Sequence, residues 1–328
     1  MSSKILCVIF GASGMQGGSV IRSILASPQA LERIRIRGVC RDLNKPAARH
    51  LKSLGVEVVA GNLSSESDMR RVLTGASLVY LVTAYSGNSS NKEIEIEQGQ
   101  NVARLSKELG IEHLIFSTLL HVKEITSGKI QQAQEFDSKA EVEKFIRQLG
   151  IPATFIIPGF YMSLFVPGQL LVRSKQDPGI LELVLPVSTN STKFPLVDMN
   201  KDFGNFVVAA LLNRDSFLGK QVYAAEAYYT LDEIAAVVNR FEPIHGFKCV
   251  TREINDREFL DQGSIAGKDA YIRQVEDLDM YRFMREPGYY LDEDLNQNQG
   301  IVIEPLSSFE EFVKNSSLFS KSPNRAYN

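Results

Sequence analysis

The sequence predicts an α/β fold, with a doubly wound parallel sheet in the first half of the chain and a smaller α+β lobe after it. Three observations predict this fold. An apolar, β-branched run of strand length begins the chain, a glycine-rich turn follows directly, and strand-like and helical segments then alternate to about residue 160. Strands that alternate with helices form parallel sheets, because each helix carries the chain back to the edge where the next strand starts.

The glycine-rich turn Gly11-Ala12-Ser13-Gly14-Met15-Gln16-Gly17 organises the first strand–turn–helix unit. Gly11 and Gly14 lack the Cβ that would keep a pyrophosphate from the backbone, and Gly17 lets the following helix pack close to the strand. We therefore predict a Rossmann-type dinucleotide site with phosphates at the helix start; a plain turn that binds nothing is the alternative. The cofactor contacts predicted here are Gly11, Ser13, Gly14, Met15, Gln16 and Gly17.

The elements that follow continue the alternation. Further strands are predicted at residues 34–40, 56–60, 77–83, 114–117 and 153–157. Helices are predicted at residues 46–54 and 132–148. A third begins at a cap on Ser64 or Ser65 and ends at residue 73, and a long fourth helix ends at residue 109. Residues 121–130 are predicted as a loop.

Beyond residue 160 the pattern is less regular, since prolines and glycines divide the chain into short pieces. Helices are still indicated at residues 203–211, after the Thr230–Glu233 capping box, at residues 268–285 and after Ser308. We assign residues 1–160 to the cofactor domain and residues 161–328 to a smaller substrate or partner lobe, with segments returning to the first domain. A cleft between them is expected to hold the substrate.

Composition excludes several classes of protein. The 328 residues carry a net charge of −3 and no dense basic stripe, so direct nucleic-acid binding has no electrostatic support. No apolar run approaches the length of about 20 residues that a membrane span needs. Four scattered histidines indicate no metal site, and three cysteines in apolar runs indicate reduced core residues. We expect a cytoplasmic protein, with the nucleus left open.

The residue that follows the second strand indicates which dinucleotide binds. NAD sites place a carboxylate there, on the ribose 2′-hydroxyl. Here Arg41 occupies the place, with Lys45 four residues later. A guanidinium can bind a 2′-phosphate that a carboxylate would repel, so the sequence favours NADP(H) over NAD(H). Asp42 could still contact the ribose, and a solvated loop arginine is the alternative interpretation.

Ligands of doubly wound sheets bind at the carboxyl ends of the strands. Residues that follow strands three, four and six are therefore further candidates, although each alone is also a common loop residue. These candidates are Asn62, Leu63, Thr83, Ala84, Tyr85, Pro158, Gly159, Phe160 and Tyr161.

Lys139 lies at the start of the helix before the sixth strand. Hydride transfer to or from a carbonyl needs a group that manages the proton, and short-chain dehydrogenases use a tyrosine four residues before a lysine. Glu135 occupies that position here. One interpretation is an i,i+4 surface pair of Glu135 and Lys139; the other, which we favour, is that Lys139 bonds the nicotinamide ribose or carboxamide.

The chain resembles the NmrA-like family of atypical short-chain dehydrogenases/reductases. The resemblance is carried by the glycine turn through Gly18, by Val39-Cys40-Arg41, by Val82-Thr83-Ala84-Tyr85, by Phe136–Glu143, and by Gly150-Ile151-Pro152 leading to Pro158-Gly159-Phe160-Tyr161. It implies an NADP(H)-binding Rossmann domain, a small C-terminal lobe and contact between Lys139 and the cofactor. Some members of the family are reductases, and others sense the dinucleotide or co-regulate transcription.

Two hypotheses follow. The first is an NADPH-dependent oxidoreductase for a small apolar or aromatic metabolite, which lacks the usual tyrosine. Lys139 would orient the cofactor, and the proton would come from His121, Tyr161 or water. Residues 160–165 would wall the pocket or form ordinary core. The second is a non-catalytic redox sensor that binds a regulatory protein, with the loop at residues 86–91 and the C-terminus as mobile elements; a homodimer is left open.

Overall fold

The computed structural model describes residues 4–84, 90–265, 268–296 and 298–319. The chain forms two compact units. The first unit comprises Met1–Pro158, Met199–Ala224 and Gln297–Pro305, and the second comprises Gly159–Asp198, Ala225–Asn296 and Leu306–Asn328. Among the described residues, no helix is both long enough and apolar enough to cross a membrane.

Strands and helices alternate through the first half of the chain. The strands are β1 (Ile5–Ile9), β2 (Ile34–Cys40), β3 (Glu57–Ala60), β4 (Leu78–Leu81), β5 (His113–Ser117), β6 (Ala153–Pro158), β7 (Phe160–Tyr161), β8 (Leu171–Arg173), β9 (Ile180–Leu185), β10 (Phe194–Val197), β11 (Gln221–Ala224), β12 (Ala227–Tyr229) and β13 (Lys248–Glu253). The helices are α1 (Met15–Ala26), α2 (Pro28–Arg33), α3 (Pro46–Ser53), α4 (Glu66–Leu73), α5 (Ser90–Glu108), α6 (Val122–Ile125), α7 (Gln134–Leu149), α8 (Phe203–Leu212), α9 (Arg214–Phe217), α10 (Leu231–Arg240), α11 (Glu242–His245), α12 (Asp256–Ile265), α13 (Lys268–Arg285), α14 (Asn298–Ile301) and α15 (Phe309–Asn315).

The first unit is built on a parallel sheet with the strand order β3-β2-β1-β4-β5-β6-β11. This order confirms the predicted doubly wound α/β fold. The order reverses between β1 and β4, so the loops that follow these two strands diverge and leave a crevice at their carboxyl ends. The glycine turn after β1 lies at this crevice.

Apolar side chains of the central strands pack against α4, α5 and α7 in one buried cluster, which includes Val8, Phe116 and Val142. Cys7, Cys40 and Cys249 are buried and unpaired, as expected of core residues. Burial raises the pKa of the Cys7 and Cys249 thiols to about 12, because a thiolate is poorly solvated in the core. These two cysteines therefore act as small apolar residues.

Two features of the later chain differ from the sequence-based expectation. The predicted loop at residues 121–130 contains the short helix α6, which His121 caps by accepting the backbone N–H of Glu124. The second unit contains two three-stranded sheets, β12-β10-β7 and β13-β9-β8, whose individual strands the sequence-based prediction did not locate. The helices that begin at the Thr230 and Ser308 capping boxes are present as predicted.

Helices α5 and α7 touch most closely at Gly99 and Val142. A Cβ at Gly99 would lie 2.5 Å from one methyl carbon of Val142 and 2.6 Å from the other, so no larger residue fits without displacement. Both helices connect parallel strands and therefore run in the same direction. The residue one turn before Gly99, Glu95, consequently faces the residue one turn before Val142, Ser138.

We expect Gly99→Ala to lower the free energy of unfolding by about 1–3 kcal/mol, because the added methyl must push α5 and α7 apart. Urea unfolding of the single variants and of Gly99→Ala/Val142→Ala measures the effect. The double variant removes the methyl groups that clash, so its loss should be smaller than the sum of the two single losses. Strictly additive losses would contradict this contact.

Candidate functional site

The glycine turn forms a backbone cradle after β1. Gly11 has a φ of +62°, in the left-handed region that favours glycine, and a Cβ there would lie 2.8 Å from Val82. A Cβ on Gly17 would lie 2.4 Å from the carbonyl oxygen of Gly11 and 2.7 Å from that of Phe10. The absent side chains leave room for close approach to the turn and let α1 start directly against the strand end.

Helix α1 opens onto this cradle with an unneutralised positive end. Its N-cap is Gly14, which offers no side-chain cap, and its first turn has no acidic residue. Backbone N–H groups there can donate to an anion, and the helix dipole favours one. Ser13 and Met15 are exposed, whereas Gln16 accepts a hydrogen bond of 2.8 Å from the Tyr80 hydroxyl. The turn thus fits the pyrophosphate of a dinucleotide.

Arg41 follows the last residue of β2, and its side chain is exposed. Lys45, also exposed, is the N-cap of α3. Within the described part of the chain, neither cation has an ion-pair partner. The Asp42 carboxylate accepts the backbone N–H of Asn44 at 2.8 Å and so turns towards its own loop. These two cations can bind a 2′-phosphate at the end of β2.

The residues after β3 serve mainly their own turn. Asn62 is exposed, and its side-chain oxygen accepts the backbone N–H of Ser64 at 3.0 Å. Leu63 is half-buried and packs against the apolar cluster of the first unit. The Asn62 side-chain oxygen is thus used in the turn, whereas its amide N–H₂ can donate to an adenine edge. Only part of the Leu63 side chain is exposed for contact with a cofactor.

The residues after β4 separate into three cases. Ala84 is exposed, and Tyr85 lies outside the described residues. Thr83 is buried, and its hydroxyl donates a hydrogen bond of 2.7 Å to Glu95. The proton of the Thr83 hydroxyl is therefore engaged by a carboxylate, so towards a cofactor this side chain can only accept a hydrogen bond.

Lys139 is buried, with a side chain only 6% exposed. Its ammonium pairs with the carboxylate of Glu95 on α5, which is fully buried. The i,i+4 pair with Glu135 is also present, with 3.5 Å between Lys139 Nζ and Glu135 Oε1. It lies on the solvent side of the lysine, because the Glu135 side chain is 53% exposed. The interpretation of Lys139 as part of a simple surface pair is therefore wrong.

Glu95 is the member of the site that the sequence-based prediction missed. Its Oε1 accepts from Thr83 and Lys139, and its Oε2 accepts from the Ser138 hydroxyl. The signal was present in the sequence: Glu95 precedes Gly99 and Val102 by four and seven residues, which places a carboxylate on the buried face of α5. The surrounding run of glutamates and isoleucines concealed that spacing.

His121 lies on another side of α7. Its Nε2 lies 3.0 Å from the Glu141 carboxylate, and its Nδ1, which accepts the backbone N–H of Glu124, lies 3.1 Å from the Asp137 carboxylate. Asp137 and Glu141 are one turn apart, and Lys139 lies two residues from each, which places its side chain on the opposite face of the helix. The predicted role of His121 as proton donor thus receives no support from the surroundings of Lys139.

In the fold, titratable side chains from α6 and α7 lie close to His121. The ligand atoms of His121, Glu124 and Glu141 lie within 4.8 Å of one another. Lys144 already supplies a positive charge there, 3.2 Å from Glu124. Its hydrogen bond, with a smaller effect of His121, holds the pKa of the Glu124 carboxyl below its usual value. This cluster is partly exposed, and Lys144 offsets part of its negative charge.

The candidates after β6 fall in both units. Pro158 is the last residue of β6, whereas Gly159, Phe160 and Tyr161 belong to the second unit. Phe160 is buried and packs edge-to-face on Phe194, with 5.2 Å between ring centroids. Its ring is therefore core of the second unit rather than a pocket wall. Tyr161 is half-buried.

The fold and the glycine cradle define a Rossmann-type protein. The NmrA-like family matches residues 1–313, and the chain belongs to that family. It is 29% identical over 324 residues to an NmrA-like family domain-containing protein of Dictyostelium discoideum, covering 96% of this chain and 98% of that one. It is 26% identical over 248 residues to the NmrA-like family domain-containing oxidoreductase malD of Malbranchea aurantiaca, covering 71% of each.

Solved structures repeat this fold. The chain superposes with a TM-score of 0.73 on the crystal structure of NmrA, a negative transcriptional regulator, in complex with NADP, covering 95% of each chain at 18% identity. At that identity the likeness establishes the arrangement of strands and helices alone.

We expect Arg41→Ala to raise the Kd for NADPH by about ten- to a hundredfold, because a charge-assisted bidentate contact to the 2′-phosphate is lost. The Kd for NADH should change less than about twofold, since NADH lacks that phosphate. Fluorescence titration of both cofactors measures the two constants. Arg49→Ala, at an exposed position on α3, is the control and should change neither. Equal losses for both cofactors in Arg41→Ala would rule out the NADP assignment.

Proposed function

We propose that this protein is an NADP(H)-dependent oxidoreductase that reduces a small apolar or aromatic metabolite without the usual catalytic tyrosine. The observation that carries the proposal is the combination of an uncapped α1 at the glycine cradle with an exposed Arg41 at the end of β2. One feature accepts a pyrophosphate, and the other accepts a 2′-phosphate. NADP(H) carries both groups.

The position of Lys139 supports a redox role for that cofactor. The Thr118 hydroxyl, just beyond β5, contacts the backbone carbonyl of Lys139 at 3.4 Å. Through Glu95, the Lys139 ammonium is linked to Thr83, just beyond β4. Lys139 is therefore held at the carboxyl ends of β4, which borders the crevice, and of its neighbour β5. In a doubly wound sheet, the nicotinamide half of a dinucleotide lies on this side.

When bound, the cofactor supplies the hydride. The chain itself binds the phosphates through the glycine cradle and Arg41, and Lys139 orients the ribose as a donor of charge-assisted hydrogen bonds. Glu135 occupies the position of the missing tyrosine, but its side chain is 53% exposed, and we assign it no part in the proton transfer. We assign the proton to water, and not to His121, which contacts Asp137 and Glu141 on the face of α7 opposite Lys139.

A second candidate function is a redox sensor that binds NADP(H) without turnover and contacts a regulatory protein. It is the function named for NmrA, a negative transcriptional regulator that shares this fold. The relatives favour the enzyme, because malD is named an oxidoreductase and covers most of this chain. Both candidates use the same cradle and the same Arg41, so only turnover separates them.

Turnover is tested by NADPH oxidation at 340 nm against a panel of quinones, enones and imines. For the enzyme, we expect at least one substrate class to give a saturable rate that Arg41→Ala reduces about tenfold or more at low NADPH concentration. The same panel without protein is the blank. If NADPH binds tightly and the whole panel gives no rate, the sensor replaces the enzyme as the better description.

A further inference from the structure

A fully buried carboxylate is the inner ion-pair partner of Lys139. Glu95 has no exposed surface, and three donors converge on it: the hydroxyls of Thr83 and Ser138, and the ammonium of Lys139. Hydrogen bonds to a carboxylate stabilise its ionised form. Glu95 thus has its two carboxylate oxygens fixed directly beside the lysine.

A buried ion pair of this kind is poorly explained by stability alone. The desolvation of two charges costs several kcal/mol per ion, and an apolar pair of similar volume is often as stable or more stable. Neighbouring positions of the same two helices are apolar, such as Val102 on α5 and Val142 on α7. An apolar contact was therefore available to this interface, and the charged pair calls for a functional reason.

We propose that Glu95 is a positioning residue, which keeps the Lys139 ammonium charged and directed to the carboxyl ends of β4 and β5, where it binds the nicotinamide ribose. This inference rests on the proposed function. Glu95 acts through Lys139 and not on the reacting atoms. Thr83 and Ser138 fix the carboxylate from the strand end and from α7.

In the described part of the chain, two titratable groups face Lys139: Glu95 from α5 and Glu135 from α7 itself. Only Glu95 can hold the charge of the buried ammonium, because the Glu135 side chain is 53% exposed and its interaction with the ammonium is screened by water. A buried ammonium that loses its counter-charge releases its proton far more readily. The neutral amine then loses the charge-assisted bonds that it makes to ribose hydroxyls.

The test compares Glu95→Gln with the wild-type protein in NADPH titrations from pH 6 to pH 9. Glutamine keeps the size of the side chain and removes its charge. We expect the ratio of the variant's Kd to the wild-type Kd to grow about tenfold or more over this range, since the lysine deprotonates as the pH rises. Glu97→Gln, an exposed position on the same helix, should keep a ratio near one at every pH. Because only ratios are compared, the titration of NADPH itself cancels.

A second measurement reports the lysine in the cofactor-free protein. Carbon-13 NMR of the lysine Cε groups, with the Lys139 signal assigned by its loss in Lys139→Arg, follows the ionisation directly. In Glu95→Gln we expect its titration midpoint to fall by about two pH units or more. A Kd ratio that does not change with pH, together with an unmoved midpoint, would overturn the role of Glu95. If the wild-type protein does not bind NADPH at all, the proposed function fails instead, whatever the lysine signal shows.

Discussion

The close contact of α5 and α7 at Gly99 determines where the buried Glu95–Lys139 pair of the first unit lies. Since no Cβ separates the helices there, the two backbones approach until Val142 fills the gap. One turn earlier, the same approach brings Glu95 within hydrogen-bonding reach of Ser138 and Lys139. A wider spacing would leave a buried lysine without a counter-charge, which is strongly destabilising.

A second close approach, at the glycine cradle, sets the other half of the site. Gly17 places the start of α1 against the carbonyl oxygens of the turn, so the positive end of the helix opens at the crevice between β1 and β4. The cradle and the Glu95–Lys139 pair therefore depend on the same physical device. In each, a missing side chain lets backbone or charge come closer than ordinary packing allows.

The fold of the first unit could be predicted from the sequence because its signals are local. Strand β2 has the predicted bounds, and α3, α4 and α7 lie within two residues of theirs. The small sheets of the second unit could not be predicted in this way. Their strands have two to six residues, and they pair with partners distant in the chain, so no local pattern marks them.

By itself, the sequence determined the doubly wound sheet, the glycine turn and Arg41 after β2, because each depends on neighbouring residues and on the order of strands. Only the tertiary structure decided the partner of Lys139. The sequence offered Glu135, four residues away on the same helix, whereas packing supplied Glu95, 44 residues away. Burial depends on how the helices and the sheet pack together, so Glu95, which looks in the sequence like one of several surface glutamates, becomes the buried partner of Lys139 once α5 and α7 meet.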